Sequence, residues 1–267
     1  MALINHRARE IHFKIVYVGP GLGGKTTNLQ MLHDRLPPER RGRMVSISTD
    51  HERTLFFDFL PIDLGQVNGF LTRFHLYTVP GQVYYRLSRR AVLQGLDGLV
   101  FIADSHPARE QANRDSLADT YLHLAAIGLD EAQIGRIPWV FQYNKRDVVS
   151  ALPVDRLRTS LNPARAPEFE AVAREGRGVS ETLRAACKSV LARLTRELGA
   201  ARPAAPAAAA PPRTEPVGGA TPAAASPRHA QTPFGPSSVG VAVARPHLPP
   251  PRIATAPRRY PRDPGQA

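Results

Sequence analysis

Residues 19–26 are the part of this chain whose types and spacing are best suited to chemistry. They read Gly-Pro-Gly-Leu-Gly-Gly-Lys-Thr and match G-x-x-x-x-G-K-[ST], the pattern of a phosphate-binding loop. Glycines let consecutive backbone N–H groups surround an anion, Lys25 can reach terminal phosphates, and the Thr26 hydroxyl can ligate Mg²⁺. The predicted phosphate-binding residues are Gly19, Gly21, Leu22, Gly23, Gly24, Lys25, Thr26 and Thr27.

A second loop, Asn-Lys-Arg-Asp at residues 144–147, matches the guanine-recognition pattern N-K-x-D. With both loops the chain resembles the Ras-like small GTPase superfamily. That resemblance implies that Asn144 ties the base loop to the phosphate loop and that Lys145 lays its stem along the base. It also implies that Asp147 accepts hydrogen bonds from guanine N1 and N2, and so selects GTP over ATP. Ala173 lies where the superfamily has its last base loop and can offer its N–H to guanine O6; a plain strand-to-helix turn explains that segment nearly as well.

The segment Thr-Val-Pro-Gly-Gln that begins at Thr78 stands where the superfamily has D-x-x-G-Q. The resemblance implies that Gly81 donates its N–H to the γ-phosphate and that Gln82 orients the attacking water. Thr78 replaces the aspartate that usually holds a Mg²⁺-bound water. The sequence leaves open whether Asp58 or Asp104 compensates, since each is also explained as a polar residue at a strand end.

Arg53 and Thr54 lie in a polar interval after the first predicted helix. By the superfamily match, Thr54 senses Mg²⁺ and the γ-phosphate, so Thr26 and Thr54 are the predicted Mg²⁺ ligands. Arg53 can act as an arginine finger in cis, a role worth about 10³–10⁵ in rate. On spacing alone, a solvated loop arginine is the alternative.

Residues 14–28, 53–61 and 74–82 closely resemble the MglA family of bacterial Ras-like GTPases, and the likeness covers about residues 3–198. The family carries threonine in place of the aspartate, and it implies that Arg53 and Gln82 serve GTP hydrolysis. Lys25 of the phosphate loop is predicted to stabilise the transferred charge with them. It further implies slow intrinsic turnover and stimulation by a homodimeric Roadblock/LC7-type activating protein (MglB-like). Effectors bound in the GTP state, a role in gliding motility and cell polarity, and recruitment to a cell pole are also implied.

Three phenylalanines, Phe56, Phe57 and Phe59, share one predicted strand. They are candidates for a partner-docking surface whose exposure changes with the nucleotide. Simple burial against flanking helices is the alternative for each of them.

These loops must be positioned by strands that alternate with helices. Predicted strands cover residues 11–18, 55–60, 69–78, 99–103, 138–143 and 169–173; predicted helices cover residues 26–36, 83–95, 108–127, 154–161 and 179–198. Pro61 and Gly65 are interpreted as a turn between two antiparallel strands. The pattern predicts an α/β fold, the P-loop small GTPase (G) domain, with a mostly parallel open sheet, one antiparallel edge hairpin and helices on both faces. Ligands of such sheets bind beyond the carboxyl ends of the strands, where these loops lie.

The composition changes near residue 200. Sixteen of the 26 prolines lie in residues 200–267, among many alanines. Residues 1–199 are predicted to form the G domain, and residues 200–267 a disordered Ala/Pro-rich basic tail. The tail carries eight arginines and two acidic residues, Glu215 and Asp263. Its net charge of +6 is half of the formal charge of +12. It can serve as a soluble spacer or contact acidic partners nonspecifically. No specific nucleic-acid binding is predicted.

Cys187 is the one cysteine, so intrachain disulfides are excluded and a cytoplasmic location is predicted. The sequence shows no apolar run long enough to span a membrane. Two alternatives to a hydrolysing switch stay open at this point. One is a nucleotide-gated scaffold with negligible intrinsic hydrolysis, and the other is a P-loop ATPase or kinase.

Overall fold

The computed structural model describes residues 2–47, 57–67, 69–79 and 86–200. The predicted tail from residue 201 onward lies outside these ranges, so the division into two regions stays a prediction. Within the described residues, no helix combines the length and the apolar character that crossing a membrane requires.

One sheet contains eight strands in the described residues. They are β1 (Leu3–Asn5), β2 (Glu10–Val18), β3 (Val45–Ile47), β4 (Phe57–Val67), β5 (Phe70–Thr78), β6 (Gly98–Asp104), β7 (Trp139–Asn144) and β8 (Glu168–Glu170). Their order is β3-β4-β5-β2-β6-β7-β8, with β1 paired to β2. Strands β5, β2, β6, β7 and β8 are parallel, and β4 is antiparallel to β5. The predicted mostly parallel sheet with an early antiparallel pair is confirmed; the short antiparallel strands β1 and β3 were not predicted.

Six α-helices accompany the sheet in the described residues. They are α1 (Lys25–Arg35), α2 (Arg86–Leu93), α3 (Glu110–Ala126), α4 (Glu131–Arg136), α5 (Val154–Leu161) and α6 (Val179–Ala200). Five of them match predicted helices. The sixth, α4, was not predicted, although Asp130 and Gln133 form a capping box whose spacing is visible in the sequence.

The helices cover both faces of the sheet because strand side chains alternate between two apolar cores. On β2, Phe13 and Ile15 belong to one core, and Val16 and Val18 to the other. Helices α1 and α6 pack on the first core, and α2, α3 and α5 contribute to the second. Cys187 is buried in the first core, as its position among apolar helix residues suggested.

The predicted turn at Pro61 and Gly65 is wrong. Both residues lie inside β4, which continues to Val67. The pairing of β4 with β5 shifts between Asp63 and Gln66, and Gly65 has φ +92°. Gly65 therefore marks an irregularity within a long strand, whereas Pro61 lies in its regular part opposite His75.

The carboxyl ends of β2, β5, β6 and β7 meet at one edge of the sheet because these strands are parallel. Strand β4 runs in the opposite direction, so its first residues lie at that same edge. Residues far apart in the sequence are thereby brought to one place, and the predicted phosphate loop and guanine loop both begin at this edge.

Candidate functional site

The predicted phosphate loop joins the end of β2 to the start of α1. Gly19 and Gly24 have φ angles of +136° and +100°, which side chains rarely adopt. A Cβ atom would lie 2.2 Å from Ile102 O at the first position and 2.2 Å from Asn144 Nδ2 at the second. Because Gly24 caps α1, the unpaired N–H groups of the first helical turn point into the loop, where an anion is favoured.

The middle of the loop is held by backbone and side-chain contacts. The Gly23 N–H donates to Pro20 O at 3.2 Å, and Arg109 Nη2 donates to Gly21 O at 2.7 Å. Leu22 has φ +61° and a side chain that is 88% exposed. The loop is thus open to its surroundings at Leu22 and fastened on either side.

Lys25 lies beneath this loop and is buried. Its Nζ donates to Gly19 O at 2.8 Å and to Pro20 O at 2.7 Å. Burial, and after it the nearby Arg89 cation, lowers the pKa of Lys25 to about 8. The negative charge of a bound phosphate would raise this pKa again, so phosphate binding and protonation of Lys25 are coupled.

We expect that binding of GDP, a nucleotide predicted from the sequence, is accompanied by the uptake of a proton when the pH is near or above about 8. Lys25 is then partly neutral before binding and fully charged afterwards, so affinity should fall with rising pH, by up to about tenfold per pH unit. Calorimetry at pH 7.0 and pH 8.5, in buffers of different ionisation enthalpy, measures the uptake. We expect little uptake at the lower pH and clearly more at the higher, because lowering the pKa of Lys25 to about 8 leaves it largely charged at pH 7.0 and increasingly neutral above pH 8. Equal uptake at both pH values would contradict this coupling.

A carboxylate lies against the phosphate-loop threonine although residue 78 is not an aspartate. Asp58 Oδ2 accepts hydrogen bonds from Thr26 Oγ1 at 2.6 Å and from Thr78 Oγ1 at 2.9 Å. Ser46 Oγ donates to Asp58 Oδ1 at 2.7 Å, and the Asp58 N–H donates to Thr78 Oγ1 at 2.9 Å. The antiparallel pairing of β4 and β5 thus places the carboxylate beside Thr78.

Asp104, the other carboxylate considered for this role, faces a different loop. It is almost fully buried, and its Oδ2 accepts from Lys145 Nζ at 2.7 Å and lies 3.8 Å from Arg109 Nε. Position favours Asp58 over Asp104 for this role. Asp58 contacts Thr26, whereas Asp104 contacts the lysine of the guanine loop.

The oxygens of Thr26 and Asp58 fit Mg²⁺, which prefers oxygen ligands and is commonly held by one or two carboxylates together with substrate phosphates. The described ranges contain no group of three or more His, Cys, Asp or Glu residues that could hold a metal, and a Mg²⁺ site of this kind does not need one. Thr54, the second predicted ligand, lies outside the described residues.

The predicted guanine loop follows β7 and is joined to the phosphate loop through Asn144. This side chain is buried; its Nδ2 donates to Gly23 O at 2.8 Å, and its Oδ1 accepts from the Ala173 N–H at 2.9 Å. Lys145 has φ +63° and turns its Nζ to Asp104. Asn144 therefore links three loops that are separate in the sequence.

Ala173 and Asp147 are both engaged in this structure. The N–H that Ala173 was predicted to offer to guanine O6 donates to Asn144 instead, so a contact with the base stays a prediction. Asp147 Oδ2 lies 2.9 Å from Arg174 Nη2. The residues predicted to read the base thus lie together, and each already has a protein partner.

Four predicted site residues lie outside the described residues: Arg53, Thr54, Gly81 and Gln82. The same is true of Phe56. Their roles stay predictions, and the structure bears only on their neighbours.

Phe57 and Phe59 lie on the face of β4 opposite Asp58 and are half-buried. Phe59 contacts the rings of His75 and Tyr77, with ring centroids 5.6 and 4.9 Å apart, and Phe57 contacts Tyr77 at 5.8 Å. Both phenylalanines are therefore partly packed within the sheet face. A docking role for their exposed parts stays a prediction.

Three residues of the site were missed by sequence reasoning: Ser46, Arg109 and Arg174. Arg109 follows the end of β6 by five residues, so the rule that ligands bind beyond strand ends would have indicated it. Arg174 stands next to Ala173 in the predicted base loop. Ser46 carries no signal in the sequence, because only the pairing of β3 with β4 brings it to Asp58.

The chain is similar in sequence to a known bacterial protein. The mutual gliding-motility protein MglA of Myxococcus xanthus (strain DK1622) is 52% identical over 194 residues, which is 73% of this chain and 98% of that protein. No family model matches the chain.

Proposed function

Because this chain belongs to the MglA family of small GTPases, we propose that it hydrolyses GTP as a molecular switch that controls cell polarity in gliding motility. The similarity to MglA does not favour the alternative that the chain is a P-loop ATPase or kinase. The observation that carries the proposal is the hydrogen bond of 2.8 Å from Asn144 Nδ2 to Gly23 O. It joins a phosphate-binding loop to a guanine-type loop in one site.

The chain's own residues divide the proposed reaction between binding and charge stabilisation. Lys25 and the backbone N–H groups of Gly19 and residues 21–27 bind the phosphates. Asn144, Lys145, Asp147 and Ala173 bind the base. Mg²⁺, held by Thr26 and Thr54, would neutralise charge on the β- and γ-phosphates. Asp58 supports this site through its hydrogen bond from Thr26.

Hydrolysis itself depends on residues of the two switch segments. Gln82 orients the attacking water, Gly81 donates its N–H to the γ-phosphate, and Arg53 stabilises the charge that develops during transfer. Loss of the γ-phosphate removes the contacts of Thr54 and Gly81, so the surface around them changes. That change is the output of the switch.

The proposed partner is a homodimeric Roadblock/LC7-type activating protein that positions Arg53 and Gln82 without donating a finger. Effectors bind the GTP form. The protein is proposed to work in the cytoplasm and to reach a cell pole through these partners. The half-buried rings of Phe57 and Phe59 are the candidate docking surface for the activating protein.

Phosphate release from GTP, with and without the Roadblock/LC7 homodimer, tests the catalytic assignment. We expect Gln82→Ala to lose the stimulated rate, because the attacking water is no longer oriented. Gln94→Ala, an exposed glutamine at the end of α2, is the control and should keep it. Wild-type protein without stimulation, together with an unchanged Gln82→Ala variant, would instead support a nucleotide-gated scaffold.

A further inference from the structure

The residue proposed to read guanine already carries a cation. Arg174 Nη2 lies 2.9 Å from Asp147 Oδ2; the arginine side chain is 70% exposed and the aspartate side chain 23%. We propose that Arg174 is a latch on the guanine subsite, which must leave Asp147 before the base binds and so sets the rate of nucleotide entry. This inference rests on the proposed GTP-binding function.

The backbone places Arg174 beside Asp147, so the pair does not depend on one side-chain rotamer alone. On one side of Arg174, the Ala173 N–H is bonded to Asn144 Oδ1 at 2.9 Å. On the other side, Gly176 has φ +72°, and its carbonyl accepts from Arg35 Nη1 at 2.9 Å. The loop that carries the arginine is thereby fastened at both ends next to the guanine loop.

Guanine and Arg174 would use the same acceptor. Guanine presents N–H donors at N1 and N2, and binding both of them to one carboxylate requires both oxygens of Asp147. Arg174 occupies Oδ2 in this structure. An ion pair with an exposed arginine is weak, whereas two hydrogen bonds to a carboxylate are strong, so at equilibrium the bound base replaces the arginine at Asp147. The latch therefore slows entry without blocking it.

The effect should appear in association and not in dissociation. Only molecules with an open latch can accept the base, so the apparent association rate is reduced by the open fraction. The strength of an exposed ion pair corresponds to about a two- to fivefold reduction. Once guanine is bound, Arg174 no longer holds Asp147, and the dissociation rate is independent of the latch.

Stopped-flow binding of a fluorescent GDP analogue to the full chain tests this proposal. We expect Arg174→Gln to raise the association rate about two- to fivefold and to leave the dissociation rate unchanged. Arg177→Gln is the matched control, because Arg177 is exposed in the same loop and pairs there through its backbone. It should bind GDP at the wild-type rate.

A second pair of variants shows whether the effect passes through Asp147. In an Asp147→Asn background, the asparagine carries no charge to hold the arginine, so adding Arg174→Gln should leave the association of XDP unchanged. An unchanged association rate of GDP in Arg174→Gln alone would overturn the latch. So would a faster dissociation, since it would mean that Arg174 contacts the bound base. Wild-type protein that binds no guanine nucleotide would overturn the proposed function as well.

Discussion

Replacing Asp147 by asparagine is expected to change the base preference of this protein from guanine to xanthine. A carboxylate accepts hydrogen bonds from both N1 and N2 of guanine, whereas an amide turns its own NH₂ group toward one of these donors. Each hydrogen bond to a charged group contributes about 1.5–3 kcal/mol. Losing one of them, and weakening the other to a neutral hydrogen bond with the amide oxygen, lowers GDP affinity by about 10²–10³-fold. Xanthine has a carbonyl oxygen in place of the 2-amino group, so it can accept from the new amide.

Titration of each variant with fluorescent GDP, XDP and ADP analogues measures this change. We expect Asp147→Asn to bind XDP more tightly than GDP and to gain no affinity for ADP. Asp155→Asn removes a carboxylate that pairs with Arg158 on α5, away from both loops, and should keep the preference for GDP. If Asp147→Asn still preferred GDP, Asp147 would not read the base.

The two loops were predictable because each is a run of neighbouring residues. In residues 19–26 and 144–147, the chemistry and the backbone that supports it lie in one short segment, so the pattern carries both. The structure adds the contact that joins them, from Asn144 to Gly23 across 121 positions of the chain. The alternation of strands and helices predicted this meeting, because parallel strands bring their carboxyl ends together.

The parts that were predicted wrongly or not at all depend on pairing between distant residues. Pro61 and Gly65 are common turn residues, and nothing near them in the sequence shows that β5 continues to pair beyond them. The pairing of β4 with β5 on both sides of Pro61 and Gly65 makes this segment a strand instead of a turn. The strands β1 and β3 have three residues each and contain too few positions to show a period.

Asp58 shows the same limit at the site itself. It is 32 positions from Thr26 and 20 from Thr78, yet it bonds both side chains. The sequence left open whether Asp58 or Asp104 compensates for Thr78, or whether each is only a polar residue at a strand end. Only the antiparallel direction of β4 distinguishes them, since it brings the beginning of that strand to the carboxyl end of β5.

Exchanging the residues at positions 58 and 78 is expected to reveal where the carboxylate of the proposed Mg²⁺ site must lie. Asp58→Thr removes a buried charged acceptor from Thr26, a contribution of about 1.5–3 kcal/mol. The Mg²⁺ concentration that retains bound GDP should therefore rise by about 10–100-fold. The double variant Asp58→Thr/Thr78→Asp returns a carboxylate to the same pair of strands, and we expect it to recover a large part of this loss.

Release of fluorescent GDP at a series of Mg²⁺ concentrations measures the effect without relying on turnover. Asp58→Asn preserves the size of the side chain while removing its charge. It replaces Asp58→Thr in this measurement if that variant folds poorly. Asp63→Asn, on the same strand and 3.7 Å from Arg73, is the control and should keep the wild-type Mg²⁺ dependence. If Asp58→Asn also kept it, the carboxylate would only order the three hydroxyl groups around it. Recovery in the double variant would instead show that the family's threonine is tolerated because the charge is supplied from the neighbouring strand.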